Sequence, residues 1–446
     1  MSKFENKIVY EPSQKISVGL DIGTSKICAL VASKDENTEG LKILGIGITE
    51  SDGLNRGVVV NIEKTVASIK NVIEQAEQQS GLKIEEVVVG IAGDHIESAQ
   101  QRGLISISNQ NNEITRQDLD RLIDDTKRIS ISADRKILHV IPQDFIIDGQ
   151  DGIYDPIGIS GIRMEANVHI ITGMATAIQN VYKCVERAGL KVKDLVLEPI
   201  ASSLAVLNED EKEVGVAIVD IGGGTTDIAL FFDGVIRYSS VFAIAGKHVT
   251  DDIRKVFNIL HAQAERIKKE YGHCYSSQIT NDEIIMIPGV AGRKPKELLK
   301  SDLSKTIQSR MEEIFEFILI ELKNSKYYDN LGAGVVITGG ASLINGAEEL
   351  AHQILGLPVK IGIPAGITYT GLAPEIESPV YSTVVGLALW GFEHGETQLI
   401  PLNTNLKEEE KVEEIEKDNT SDPKLNESNT KSGSIFKNIK NILKEL

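Results

Sequence analysis

The sequence predicts an α/β protein with two similar lobes. A repeat is the main reason: Val18-Gly-Leu-Asp-Ile-Gly-Thr-Ser-Lys-Ile-Cys-Ala-Leu30 returns as Val216-Ala-Ile-Val-Asp-Ile-Gly-Gly-Gly-Thr-Thr-Asp-Ile-Ala-Leu230, with a longer turn. The chain length of 446 residues exceeds a single hydrophobic core and suits two lobes with a tail left over. Further buried-strand patterns alternate with helical ones, as in Gly332-Ala-Gly-Val-Val-Ile-Thr-Gly-Gly-Ala-Ser342, an apolar strand feeding a Gly-Gly turn and a helix from Leu343 onward.

Each repeat copy is an apolar run ending in Asp, a Gly and Thr/Ser turn, and a second apolar run, which is the pattern of a β-hairpin. The turns hold the chemistry. Gly23, Gly222, Gly223 and Gly224 let the backbone approach a ligand and aim successive N–H groups at phosphate oxygens. Thr24, Ser25, Thr225 and Thr226 add hydroxyls, and Lys26 and Asp227 flank the turns. Asp21 and Asp220 end the first strands; carboxylates repel phosphate, but they can hold a hydrated Mg²⁺ that bridges to it. Gly339 and Gly340 would let the backbone lie flat against a nucleoside, which a Cβ would block.

The paired turns resemble the phosphate-1 and phosphate-2 loops of the actin-like ATPase superfamily, and Gly339-Gly340-Ala341 resembles its adenosine loop. The resemblance implies the actin-like (ribonuclease H-like) two-lobed ATPase fold closing on ATP from both sides. It also implies that Glu265 and Lys268, on a helix expected from Thr250 to Tyr271, touch ribose and adenine, with Gly246 and Lys247 bordering the nucleotide. Glu198-Pro-Ile-Ala-Ser-Ser-Leu-Ala205 and Pro379-Val-Tyr-Ser-Thr-Val-Val-Gly-Leu-Ala388 are similar to the superfamily's inter-lobe connections, both rich in small residues that suit close packing at a hinge. Relatives that hydrolyse ATP have an acid or amide at the position of Glu198, where it orients a water; the alternative is a plain charge beside the helix-starting Pro199. ATP is expected to act mainly as a clamp, with hydrolysis slow at most.

Along lobe 1, Asn61 can cap a helix in which Ile62, Val66, Ile69, Ile73 and Ala76 form a core stripe ending at Ser80-Gly81. From 86 to 165 the pattern becomes strands around one helix, Thr115 to Arg128, with Thr115 and Asp118 placed as a capping box. His139 stands in an apolar strand with no second His or Cys at metal spacing, which reads as a satisfied core histidine. Here Val140-Ile-Pro-Gln-Asp-Phe145, Asp155-Pro-Ile-Gly-Ile-Ser-Gly-Ile-Arg-Met164 and Val185-Glu-Arg-Ala-Gly-Leu-Lys-Val192 resemble the FtsA family of bacterial cell-division proteins, which has an inserted 1C subdomain at this point. The expected division is 14–85 and 166–203 for the lobe 1 core, 86–165 for the insert, 204–245 and 332–402 for the lobe 2 core, and 246–331 for its outer subdomain. The family implies self-assembly into filaments, later division proteins as partners, and an FtsZ C-terminal tail bound on 246–331, where Arg293 and Arg310 are the candidate contacts.

A net charge of −18 argues against nucleic acid, because a phosphate backbone wants a basic face. Cys28, Cys184 and Cys274 form no zinc or disulfide pattern. With no apolar leader and no run near the ~20 residues of a spanning helix, a cytoplasmic, non-transmembrane protein is expected. Residues 403–433 are acidic and too polar to form a core, so they read as a disordered tether. In 434–446, Ile435, Phe436, Ile439, Ile442, Leu443 and Leu446 share one helix face, with Lys437, Lys440 and Lys444 around it. Such a helix is expected to lie in an anionic membrane interface, the alternative being docking on the protein's own core or a partner groove, and FtsA proteins end in a similar helix. At ~1.5 kcal/mol or more per buried side chain, less the cost of ordering the helix, one anchor binds reversibly, whereas a filament of anchors binds cooperatively. Together with the terminal helix, the resemblance implies a peripheral protein at the division site, on the cytoplasmic side of the inner membrane. The rivals are a sugar-kinase-like phosphotransferase, a DnaK-type chaperone, and a PilM-like pilus assembly ATPase.

Overall fold

The computed structural model describes residues 15–34, 40–108, 111–128, 132–367, 376–395 and 400–401. The expected tether and the terminal helix with Ile435, Phe436, Ile439, Ile442, Leu443 and Leu446 lie outside the described residues.

Both repeat copies fold as antiparallel hairpins, Lys15–Ile22 with Lys26–Lys34 and Val216–Ile221 with Thr226–Phe232. The likeness extends to whole sheets. Lobe 1 has the spatial order Lys191–Leu197, Glu86–Ile91, Lys15–Ile22, Lys26–Lys34, Leu41–Glu50. Lobe 2 has Val359–Ile361, Gly334–Thr338, Val216–Ile221, Thr226–Phe232, Val235–Phe242. Within each lobe the first three strands form an antiparallel meander, and the fourth and fifth add on parallel beside the first. Val216–Ile221 is buried throughout, and Lys15–Ile22 everywhere but its first residue, because the sheets are covered on both faces. That is why the strands read as continuous apolar runs rather than as alternation.

The insert is a four-stranded sheet, ordered Gln150–Ile153, Arg135–Ile147, Arg163–Met174, Glu97–Ser106, under the helix Arg116–Lys127. Thr115 and Asp118 make the expected capping box, and Asn61 caps the helix Ile62–Ser80. Strand pairing shifts the insert's ends from those expected: Glu86–Ile91 belongs to the lobe 1 sheet, and Arg163–Met174 to the insert. An apolar strand looks alike in either sheet, so composition could not place the junctions.

The helix expected from Thr250 to Tyr271 is two helices, Gly246–Phe257 and His261–Tyr271. Asn258 breaks it with a left-handed φ of 48°. The break lets the second helix fold back, so that the Thr250 hydroxyl donates to Glu265 Oε2; in one straight helix residues fifteen apart stand ~22 Å apart. Packed against this pair, the long helix Lys300–Asn324 buries Leu303, Ile307, Met311, Ile314, Ile318 and Leu322 along one face.

The two connections are the helices Glu198–Val206 and Ser382–Glu393. Their small residues let them cross closely: a Cβ on Gly386 would lie 1.7 Å from the Ala201 carbonyl oxygen. His139 accepts from the Leu197 N–H at 3.0 Å and meets the Trp390 ring edge-on, so it is a satisfied core histidine. Burial pushes its pKa down to about 4. The three cysteines are free and buried. Among the described residues no helix is long and apolar enough to cross a membrane.

Candidate functional site

The two hairpin turns touch across the lobes. A Cβ on Gly223 would lie 1.8 Å from Ser25 Oγ, and one on Gly224 2.4 Å from Thr24 Oγ1, so only glycine allows this approach. Lys247 ties the turns together: its N–H donates to the Gly223 carbonyl at 2.8 Å, and its Nζ to the Thr24 carbonyl at 2.7 Å. The Gly246 N–H donates to the Gly222 carbonyl at 3.1 Å.

Below the turns lie Asp21, Asp220, Asp227 and Glu198, close enough to perturb one another. Asp21 is paired with Lys26 at 2.5 Å. Burial works against the Lys26 ammonium, yet Asp21, with Cys28 and Asp220 adding to it, holds the pKa above the usual lysine value. Asp220 Oδ2 accepts from Ser202 at 2.9 Å and Thr383 at 3.1 Å, one from each hinge helix. In the sequence these two hydroxyls show only as a Ser and a Thr inside helices that are otherwise small and apolar. Asp227 is buried and its Oδ1 has no partner. Burial, then the neighbouring carboxylates, raise the pKa values of Glu198 and Asp227 well above the carboxylate range.

Thr226 is fully buried, and its hydroxyl donates to the Ile244 carbonyl at 2.7 Å, so that proton braces the hairpin. Thr24 Oγ1 accepts from the Gly57 N–H at 2.9 Å and keeps its own proton to donate.

On the other wall, Gly339 has φ 83°, and a Cβ there would lie 2.3 Å from Asp220 Oδ1. Gly340 is exposed, and a Cβ there would meet nothing within 4 Å. A short 3₁₀ turn, Gly340–Leu343, follows instead of the helix expected from Leu343, which begins at Ala347. A Cβ on Gly246 would lie 3.3 Å from the Ala341 Cβ and 3.9 Å from Lys268 Nζ, which places three expected contacts in one neighbourhood. Lys268 pairs with Glu265 at 2.7 Å and donates to Thr250 Oγ1 at 2.8 Å.

Arg293 and Arg310 sit on different elements. Arg293 is exposed after the turn Val290–Gly292. Arg310, on the long helix, pairs with Asp252 at 2.6 Å and with Glu313, and lines a groove of about 540 Å³ with Lys255, Val256 and Lys305. Arg293 is not part of that lining.

Residues 217–386 match the family described as "Cell division protein FtsA", and 93–172 match "SHS2 domain inserted in FTSA". The second range agrees with the insert as strand pairing defines it. Over 381 residues the chain is 44% identical to the cell division protein FtsA of Pseudomonas aeruginosa, covering 85% of this chain and 90% of that one. This chain belongs to the FtsA family. Among solved structures it resembles a PilM-PilN type IV pilus biogenesis complex, with a TM-score of 0.60, 16% identity, and coverage of 84% of this chain and 98% of that one. MreB5 of Spiroplasma citri bound to ADP gives 0.53 and 16%, covering 86% and 98%. These two show the actin-like fold. PilM is thus a fold neighbour, while the sequence places this chain with FtsA. The match to "Hsp70 protein" is confined to residues 177–241.

Proposed function

We propose that this chain binds ATP with Mg²⁺ between its lobes, polymerises at the cytoplasmic face of the inner membrane, and ties FtsZ filaments to that membrane during septum formation. One observation supports the nucleotide reading above all: turns from opposite lobes meet over buried carboxylates, one of which has an oxygen without a partner. Four carboxylates with Lys26 as their neutralising cation form a place that a divalent ion fits. Mg²⁺, which keeps several of its waters, is assigned to Asp21 and Asp220 through those waters. The bound ion supplies positive charge between the carboxylates and the phosphates. The N–H groups of Gly23, Gly223 and Gly224, with the hydroxyls of Thr24, Ser25 and Thr225, are assigned as the phosphate donors, while the Gly222 N–H closes the turn on the Thr225 carbonyl at 3.0 Å. Gly246, Glu265, Lys268, Gly339, Gly340 and Ala341 border the nucleoside.

Since the donors come from both lobes, nucleotide favours the closed arrangement, and that arrangement presents the filament surfaces. Glu198 is assigned to orient a water; burial, then three neighbouring aspartates, raise its pKa and favour the protonated acid, and a bound cation would favour the carboxylate that can accept from water. That supports a slow ATPase at most. The FtsZ tail is assigned to the outer subdomain of lobe 2, with Arg310 and its groove as one contact and Arg293 as another. The terminal helix is assigned to anionic lipid. Calorimetry of the full chain tests the core of this reading: ATP is expected to bind only with Mg²⁺, and a chain that takes up no adenine nucleotide overturns it.

A further inference from the structure

The strand Val235–Phe242 is the edge of the lobe 2 sheet. A sheet edge presents unpaired backbone groups that must be covered or solvated. Here the insert covers them with side chains. Gln143 Nε2 donates to the Ile236 carbonyl at 2.7 Å, Gln100 Nε2 to the Arg237 carbonyl at 2.8 Å, and Ser98 Oγ to the Ser239 carbonyl at 2.8 Å. His169 adds a bond from Nε2 to Ser239 Oγ at 3.0 Å. The Arg237 guanidinium, only 6% exposed, reaches Asp144 of the insert at 3.4 Å and Asp233 of its own lobe at 3.3 Å. Gln143, His169 and Ser239 are buried as well. Directional bonds in a buried polar contact are made or broken; unlike an apolar contact, they do not slide.

The insert grows out of lobe 1, between the strands Glu86–Ile91 and Lys191–Leu197. These bonds are therefore a second bridge between the lobes, apart from the facing turns. Both bridges reach lobe 2 through paired strands: Thr226, at the end of the second turn, pairs with Phe242 at the end of the edge strand. A rotation about the hinge helices that separates the turns cannot keep the edge-strand bonds unless the insert moves with lobe 2.

We propose that the insert is a latch on the lobe 2 edge strand, engaged when the turns grip nucleotide, so that opening the cleft releases it and the nucleotide state is transmitted to the insert. This rests on the nucleotide reading above. By linkage, weakening the latch lowers the population of the closed arrangement and weakens nucleotide binding by at most the same factor.

The test uses the full chain, the double variant Gln100→Ala/Gln143→Ala, and the milder Gln143→Ala in case the double variant folds poorly. ATP–Mg²⁺ affinity is measured by calorimetry, and amide hydrogen exchange by mass spectrometry with and without ATP–Mg²⁺. In the unmodified chain ATP is expected to slow exchange in the insert strands Glu97–Ser106 and Arg135–Ile147 as well as at the turns. In the variants the protection of the insert is lost, that of the turns remains, and affinity falls about three- to tenfold. Variants with unchanged affinity and unchanged insert protection overturn the latch, as does an unmodified chain whose insert ignores bound ATP. An unmodified chain that binds no ATP overturns the nucleotide reading first, and the coupling with it.

Discussion

Gly339 and Gly340 are neighbours with opposite reasons for being glycine, and substituting each by Ala separates them. At Gly339 the backbone is left-handed, with φ 83°, and a Cβ would stand 2.3 Å from Asp220 Oδ1 and 2.7 Å from the Ile221 carbonyl oxygen. With ψ 169° this is a region that essentially only glycine adopts, and the conformation costs ~1–3 kcal/mol for any other residue. Relieving the overlap moves Asp220 off one of its hydroxyl donors, Ser202 or Thr383, which adds ~1.5 kcal/mol or more for a bond to a charged group. Gly339→Ala is therefore expected to destabilise the protein by about 3 kcal/mol. At Gly340 a Cβ meets no protein atom within 4 Å, so Gly340→Ala leaves stability nearly unchanged. If the nucleoside lies against that bare backbone, the added methyl lowers ATP affinity by about tenfold or more. Thermal melts without ligand and calorimetry with ATP–Mg²⁺ read the two effects. A Gly339→Ala chain that melts like the parent refutes the strain at Gly339, and a Gly340→Ala chain that binds ATP as tightly as the parent refutes the nucleoside contact at Gly340.

The carboxylate cluster makes stability depend on pH. Glu198 and Asp227 have native pKa values raised well above 4.5 and 3.8, so between those values and the native ones the folded chain keeps protons that the unfolded chain has lost. Stability without ligand should fall as pH rises through that window, less steeply in Asp227→Asn, while Mg²⁺–ATP should stabilise the parent more at high pH; melts that show no such difference in slope refute this. Truncation after Asn403 should abolish co-sedimentation with anionic liposomes in the presence of ATP, and retained binding removes the lipid assignment from the tail. Charge reversal at Arg293 and Arg310 together should weaken binding of an FtsZ C-terminal peptide about tenfold, measured by fluorescence anisotropy; unchanged affinity removes that site.

The sequence by itself determined the duplicated hairpins, the Asn61 and Thr115 caps, and the close-packed hinge helices. Those features are local: a strand's apolar run, a glycine turn and a capping hydroxyl act on residues a few positions away. Only the tertiary structure decided that Asp220 is held by Ser202 and Thr383, that Thr226 turns inward to Ile244, and that Asp227 is left with a bare oxygen. It also decided that Asn258 folds the second helix back to bring Glu265 to Thr250, since φ 48° at one residue redirects everything after it. The insert's true ends, and its grip on the edge strand, depend on which strand pairs with which. Pairing joins residues far apart in the chain, and an apolar run has the same pattern whichever sheet it enters.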